Sequence, residues 1–242
     1  MKHWDGKRYW LVGASEGLGA ALAKEMSAAG ATLILSARNT ARLKALAADL
    51  PGPCEVLACD VSSDDSVAAA AEKAGEIDGV IYLAGLYWPM AAQNWDSAQA
   101  IAMSDVNLTG ALRVLGRVAP DFAARDAGHI VITGSLAGFR GLPASVGYSA
   151  SKAGVMVLAE CLYKDFKESN VQVQLVNPGF IKTRLTDKNK FHMPFLMAPE
   201  KAAQIMFRHM NTQRFKISFP RLFSLLFRGG QLLPDWLYYR LF

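Results

Sequence analysis

The run Tyr9-Trp10-Leu11-Val12-Gly13-Ala14-Ser15-Glu16-Gly17-Leu18-Gly19 reads as a strand, a turn and the start of a helix. Tyr9 to Val12 is a short apolar run closed by a glycine, the pattern of a buried strand. An alanine-rich helical stretch then continues to about Ala29. Gly13, Gly17 and Gly19 allow positive φ and a close approach of backbone to a ligand, and the open N-terminus of the helix attracts phosphate. The spacing is G-x-x-x-G-x-G. Glycine serves many strand-to-helix turns for structural reasons alone, so the weight of this one comes from its place at the first such junction of the chain.

The same alternation repeats downstream. Strands are read at residues 31–36, 54–59, 78–85, 129–133, 171–176 and 215–219. Helical stretches separate them: residues 40–50, a run capped by Ser62 or Ser63, a long region over 94–125, and the helix that begins near Tyr148. Strands separated by helices form βαβ units and a parallel sheet. The expected fold is therefore α/β, a single-domain Rossmann-like doubly wound parallel sheet of about seven strands with helices on both faces, over residues 1–242. Right-handed crossovers bring the strand C-termini to one edge, where ligands bind.

At the end of the second strand, dinucleotide-binding folds place either a carboxylate for the ribose 2′-hydroxyl or an arginine for a 2′-phosphate. Here the strand ends Ser36-Ala37-Arg38, with no carboxylate. The guanidinium fork of Arg38 matches phosphate, so NADP(H) is expected over NAD(H). A solvent-facing arginine opening the next helix is the alternative, and Glu16 inside the glycine turn brings no positive charge.

Tyr148-Ser149-Ala150-Ser151-Lys152 sets a phenol and an ammonium one turn apart on one helical face. Free tyrosine titrates near pH ~10 and free lysine near ~10.4. A fixed ammonium beside the phenol favours the phenolate and brings the group towards a working range for proton transfer. The same spacing also serves ordinary surface pairs.

Apolar residues make up 52% and charged residues 19% of the chain, which describes a well-cored globular protein and excludes disorder. Cys54, Cys59 and Cys161 show neither metal-ligand spacing nor an even-numbered framework, so no metal is expected and a reduced, cytoplasmic setting is. The first residues lead almost straight into a strand, with no signal-peptide core. The net charge of +5 is unevenly placed: residues 182–242 hold 11 Lys and Arg against 3 Asp and Glu, a net of +8. A solvated face, an anionic substrate, a membrane surface and nucleic acid are all readings of that excess. The lack of a nucleic-acid-binding motif sets the last aside.

Four features stand in a fixed order: the first-turn glycines, Asn107 within the long helical region, Ser135 just past the fifth strand, and Tyr148 with Lys152. Together they resemble the short-chain dehydrogenase/reductase family over roughly residues 7–220. Ser135 precedes Tyr148 by 13 residues, the separation that family uses. Pro178-Gly179 with Thr183 looks like its P-G-x-x-x-T segment, which holds the nicotinamide carboxamide, and Asp60-Val61 looks like its adenine-contacting pair. The resemblance implies a hydride moving between nicotinamide and a carbonyl or alcohol carbon. Tyr148 would be the general acid/base, and Lys152 would lower its pKa and bind the ribose hydroxyls. Ser135 would hold the substrate oxygen, with a strand-end cap as its alternative, and Asn107 would support a water that passes protons to Lys152, with a helix-kink residue as its alternative. The cofactor would lie along Gly13, Ser15, Gly17, Leu18 and Gly19, beside Arg38, Asp60 and Val61, and against Ala84, Gly85, Pro178, Gly179, Ile181 and Thr183. Two positions depart. The family usually shows Asn-Asn-Ala-Gly after the fourth strand, asparagines that tie the centre of the sheet together, and here the run is Tyr82-Leu83-Ala84-Gly85. Val12 stands where a threonine is usual.

In relatives the substrate loop lies where residues 184–199 stand here. Phe191, Met193, Phe195, Leu196 and Met197 give it an apolar lid, with Trp88 and Met90 facing the same cleft and Lys188, Lys190 and His192 available to an anionic end. The alternative is that this run packs on the body or a partner subunit. Residues 220–242 interleave arginine with Phe, Leu, Trp and Tyr, too interrupted for a spanning helix. Packing on the body or a subunit ranks first for this tail, and a bilayer interface second. The expected function is an NADP-dependent oxidoreductase of a small, mostly apolar carbonyl or alcohol, assembled as a homodimer or homotetramer as relatives are. A non-catalytic NADP(H)-binding sensor or scaffold is the alternative, and the complete set Ser135, Tyr148 and Lys152 argues against it.

Overall fold

Seven short apolar runs become strands: β1 (Arg8–Val12), β2 (Thr32–Ala37), β3 (Cys54–Ala58), β4 (Gly79–Tyr82), β5 (Gly128–Thr133), β6 (Val171–Pro178) and β7 (Lys216–Phe219). In this computed structural model, which describes residues 3–189 and 191–241, they form one sheet in the order β3-β2-β1-β4-β5-β6-β7. Every pairing is parallel. The central strands β4 and β5 are buried along their length except at Gly128, as parallel strands covered by helices on both faces must be.

The helices are α1 (Gly17–Ala28), α2 (Thr40–Ala48), α3 (Asp64–Ala74), α4 (Ser97–Ser104), α5 (Gly110–Ala124), α6 (Val146–Asp165), α7 (Pro199–Met210), α8 (Arg221–Gly230) and α9 (Asp235–Leu241). Successive strand residues point to opposite faces, so Trp10 packs with Val67, Val114, Phe122 and Val155 of α3, α5 and α6. Its neighbour Leu11 packs with Leu22, Leu43 and Met206 of α1, α2 and α7. Ser63 rather than Ser62 caps α3, its side chain accepting from Ser66 N. No helix among the described residues is long and apolar enough to cross a membrane.

Three boundaries differ from the sequence reading. The long helical region over 94–125 is not uniform: a 3₁₀ turn at Ala92–Asn94 precedes α4, and a wide π turn, Asp105–Thr109, separates α4 from α5. β4 stops at Tyr82, although Leu83 N still donates to Val12 O at 2.8 Å and the exits of β1 and β4 stay side by side. Gly13 has φ +99°, and a Cβ there would lie 2.4 Å from Ala84 N, so only glycine lets the two strand exits come this close. β6 runs on through Asn177 and Pro178, paired with Ser218 and Phe219. The sheet order reverses between β1 and β4, which opens a crevice above those strand ends.

Candidate active site

The crevice holds a cavity of about 1120 Å³. Of the catalytic and cofactor-binding candidates, all but Asn107 line it: the glycine turn with Ser15 and Leu18, then Arg38, Asp60, Val61, Ala84, Gly85, Ser135, Tyr148, Lys152, and Pro178, Gly179, Ile181 and Thr183 after β6.

At one end the turn is stripped of side chains. A Cβ on Gly19 would fall 2.2 Å from Gly13 O, and one on Gly17, where φ is +55°, would fall 2.8 Å from Thr183 Cγ2. Glu16, at the N-cap of α1, makes no side-chain cap, which leaves first-turn N–H groups and the positive end of the helix to a ligand. This cradle fits the pyrophosphate of a dinucleotide. Further along the rim Arg38 is exposed and makes no hydrogen bond to the described residues. Burial alone would raise the Asp60 carboxyl, but donation from the Ser62 hydroxyl and N–H, with the charges of Arg38 and Arg113, holds it below the usual range. The rim thus carries the exposed guanidinium of Arg38 and, beside it, a carboxylate whose Oδ1 accepts from Ser62.

Glu16 has a role that the sequence did not reveal. Its Oε2 accepts from Arg42 Nη1 at 2.9 Å and pairs with Arg184, joining the glycine turn to α2 and to the loop after β6. Arg42 also lines the cavity. An exposed pair is worth little energy; the geometric consequence is that two loops and a helix are joined around the cofactor end.

At the other end the catalytic candidates converge. Ser135 ends β5's exit and caps a short turn, its Oγ accepting from Ala137 N at 3.1 Å. The Tyr148 phenol lies beside Ser135, whose side chain favours its ionised form. Lys152 Nζ donates to Thr133 O at 2.9 Å and lies 5.9 Å from the Tyr148 ring centroid. The expected tuning of the phenol by the ammonium is not what the protein's own groups produce. Burial pushes the phenol up, only partly opposed by Ser135, and burial pushes Lys152 down to about 8. The physical reason is that low-dielectric surroundings penalise both charged forms, while the ammonium is directed at a backbone carbonyl.

Asn107 is fully buried in the π turn and stands behind the cavity wall. Its Oδ1 accepts from Leu86 N at 2.7 Å, and its Nδ2 donates to Leu86 O and to Ser151 Oγ, both at 2.9 Å. The side chain thereby clamps the loop after β4 and links it to the residue next to Lys152. Tyr82, where the resemblance anticipates asparagine, donates its buried hydroxyl to Val106 O. It ties the sheet to the π turn from the other side.

The substrate end corrects several expectations. Trp88 and Met90 do not line the cavity; Tyr87 and Pro89 do. Met90 is buried against Ser145 through a bridge, and Trp88 sits under Lys188 Nζ, 4.2 Å from its centroid. Tyr87 meets Tyr148 edge-on at 4.9 Å, and its hydroxyl donates to Asn189 Oδ1. Of the lid, Phe191 lines the cavity, while Met197 bridges to Ile181 beside it. His192 is exposed, and Lys190 lies outside the described residues. The tail packs on the body at the site itself: Phe223 and Phe227 of α8 wall the cavity. Arg140 anchors that tail, donating to Gly230 O and Leu233 O at 2.8 Å and standing 4.0 Å over the Tyr238 ring.

Comparison with known proteins gives a consistent result. The family described as short chain dehydrogenase matches residues 7–193. An uncharacterized oxidoreductase of Myxococcus xanthus is 34% identical over 234 residues, 93% of this chain and 92% of that protein. Among solved structures, a metagenomic short-chain oxidoreductase in complex with NADP aligns with a TM-score of 0.76 at 28% identity, covering 90% of this chain and 96% of that one. A short-chain dehydrogenase from Sphingobium yanoikuyae in complex with NADPH aligns with a TM-score of 0.83 at 25% identity, covering 95% and 96%.

Proposed function

The chain belongs to the short chain dehydrogenase family, and on that premise we propose that this oxidoreductase is an NADP(H)-dependent reductase of small, mostly apolar carbonyl compounds. The observation that carries the reading is the meeting of Ser135, Tyr148 and Lys152 with the glycine cradle and Arg38 in one cavity. Arg38 and Arg42 on its rim support NADP(H) over NAD(H). Leu142, Phe180, Phe191, Phe223 and Phe227 on its other walls support an apolar substrate.

When bound, the nicotinamide cofactor supplies the hydride. Ser135 positions the substrate oxygen against the phenol, and Tyr148 donates the proton to the developing alkoxide. A phenol is protonated at neutral pH, the state a donor needs, and burial pushes this one further in that direction. Lys152, with a pKa of about 8, still carries its charge at neutral pH. It stands next to the phenol to stabilise the phenolate as the proton leaves. Asn107 ties the loop after β4, through Leu86, to Ser151 on the helix that carries Tyr148 and Lys152. Residues 1–242 act as one nucleotide-binding domain with 184–199 as its substrate loop. The exposed Ile101, Leu112 and Val157 on α4, α5 and α6 support a homo-oligomer formed through those helices.

The test is nucleotide binding followed by turnover. NADPH should bind at least about tenfold more tightly than NADH, and Arg38→Leu should erase that difference. A panel of apolar ketones and aldehydes should then oxidise bound NADPH. Equal affinities in the wild type overturn the cofactor preference, and tight NADPH binding with no oxidation by any carbonyl overturns the reductase.

A further inference from the structure

α8 presents two apolar faces. Its inner face roofs the cavity, with Phe223 against Phe180 and Phe195 at ring distances of 5.9 and 5.5 Å. Its outer face, which a water-facing helix would make polar, carries Leu222, Leu225 and Leu226 at 71%, 59% and 53% exposure. The apolar exposure continues along the tail through Leu232, Trp236, Tyr239 and Leu241, and onto the substrate loop through Phe191, Phe195 and Leu196. Lone exposed apolar side chains are ordinary, whereas a run of them along a helix pair beside a cavity mouth marks an interaction surface.

The charges around this surface choose its occupant. Arg221, Arg228 and Arg240 are exposed among the apolar residues. The acid of this stretch, Asp235, is paired with Arg140. A two-fold contact with a second copy would set this basic face against itself. An anionic bilayer instead offers phosphates to the guanidinium groups and an interfacial zone to Trp236 and Tyr239. The helices are far too short to span: ten residues of α8 reach about 15 Å.

We propose that α8 and α9, with the exposed aromatic residues of the substrate loop, dock the protein in the plane of an anionic lipid surface. The cavity mouth, roofed by α8, then sits at the lipid boundary, where an apolar substrate is concentrated.

Flotation of the full chain with lipid vesicles tests this independently of any turnover. The protein should float with vesicles of phosphatidylcholine containing about a third phosphatidylglycerol, and at least about tenfold less with phosphatidylcholine alone. The variant Leu222→Gln/Leu225→Gln/Leu226→Gln, all on the exposed face, should lose about tenfold of that partition while keeping the wild-type unfolding temperature. Arg228→Glu/Arg240→Glu, which leaves the leucines in place, should lose a similar amount. Flotation with neither vesicle, or equal flotation with both, overturns the proposal. So does a solution oligomer that the leucine variant alone dissociates, because that result assigns the face to a second copy.

Discussion

Lys152 is held in place against its own charge. Burial brings its pKa from 10.5 to about 8, a cost of about 3 kcal/mol to the folded state. At pH 7 folded and unfolded chains both bind the proton, so the whole cost is present. Between pH 8 and 10.5 the folded chain has released it while the unfolded chain keeps it, and stability rises with pH. We therefore expect Lys152→Met to raise the unfolding temperature of the nucleotide-free protein by several degrees at pH 7, and the gain to shrink as pH climbs through that window, as thermal melts at a series of pH values would read. The pair Tyr148 and Lys152 was legible in the sequence because its spacing is local. The direction of its titration was not, because burial is a property of the folded surroundings. Arg42 escaped notice for a related reason: only the fold brings it to Glu16, 26 residues away.

The π turn at Asp105–Thr109 is the element on which the site rests. A uniform helix would repeat its side chains every 100° and could not aim Asn107 at Leu86 while Val106 accepts from Tyr82. The sequence located the helix and offered Asn107 as a kink residue within it; the width of the turn was not readable, since no glycine or proline stands between residues 105 and 109. The two ties act on opposite sides of that turn. Tyr82→Phe leaves Val106 O buried without its donor, and we expect a loss of about 1–3 kcal/mol in urea unfolding. Asn107→Ala, which releases both the loop after β4 and Ser151, should lower kcat more than it changes NADPH affinity. Steady-state kinetics set beside a binding titration separate the two effects.

Across the whole molecule, most of the α/β architecture could be read in advance because strands, helices and glycine turns are written locally. The closure of the site could not, because it depends on a tail wrapped over a distant loop. Arg140 bonds to Leu233 across 93 residues, and Tyr238 donates to Gly141 across 97. Arg140→Ala should loosen that wrap, speeding proteolysis within residues 221–241 and raising KM for apolar carbonyls about tenfold with little change in kcat. Tyr148, half-buried in the cavity wall, is proposed to deliver the proton of a carbonyl reduction. The most direct measurement sets the NADPH affinity of Tyr148→Phe beside its carbonyl-reduction rate. We expect the affinity to stay within about twofold of wild type and kcat to fall by about 10²–10⁴. A variant that reduces carbonyls within about tenfold of the wild-type rate would contradict the assignment.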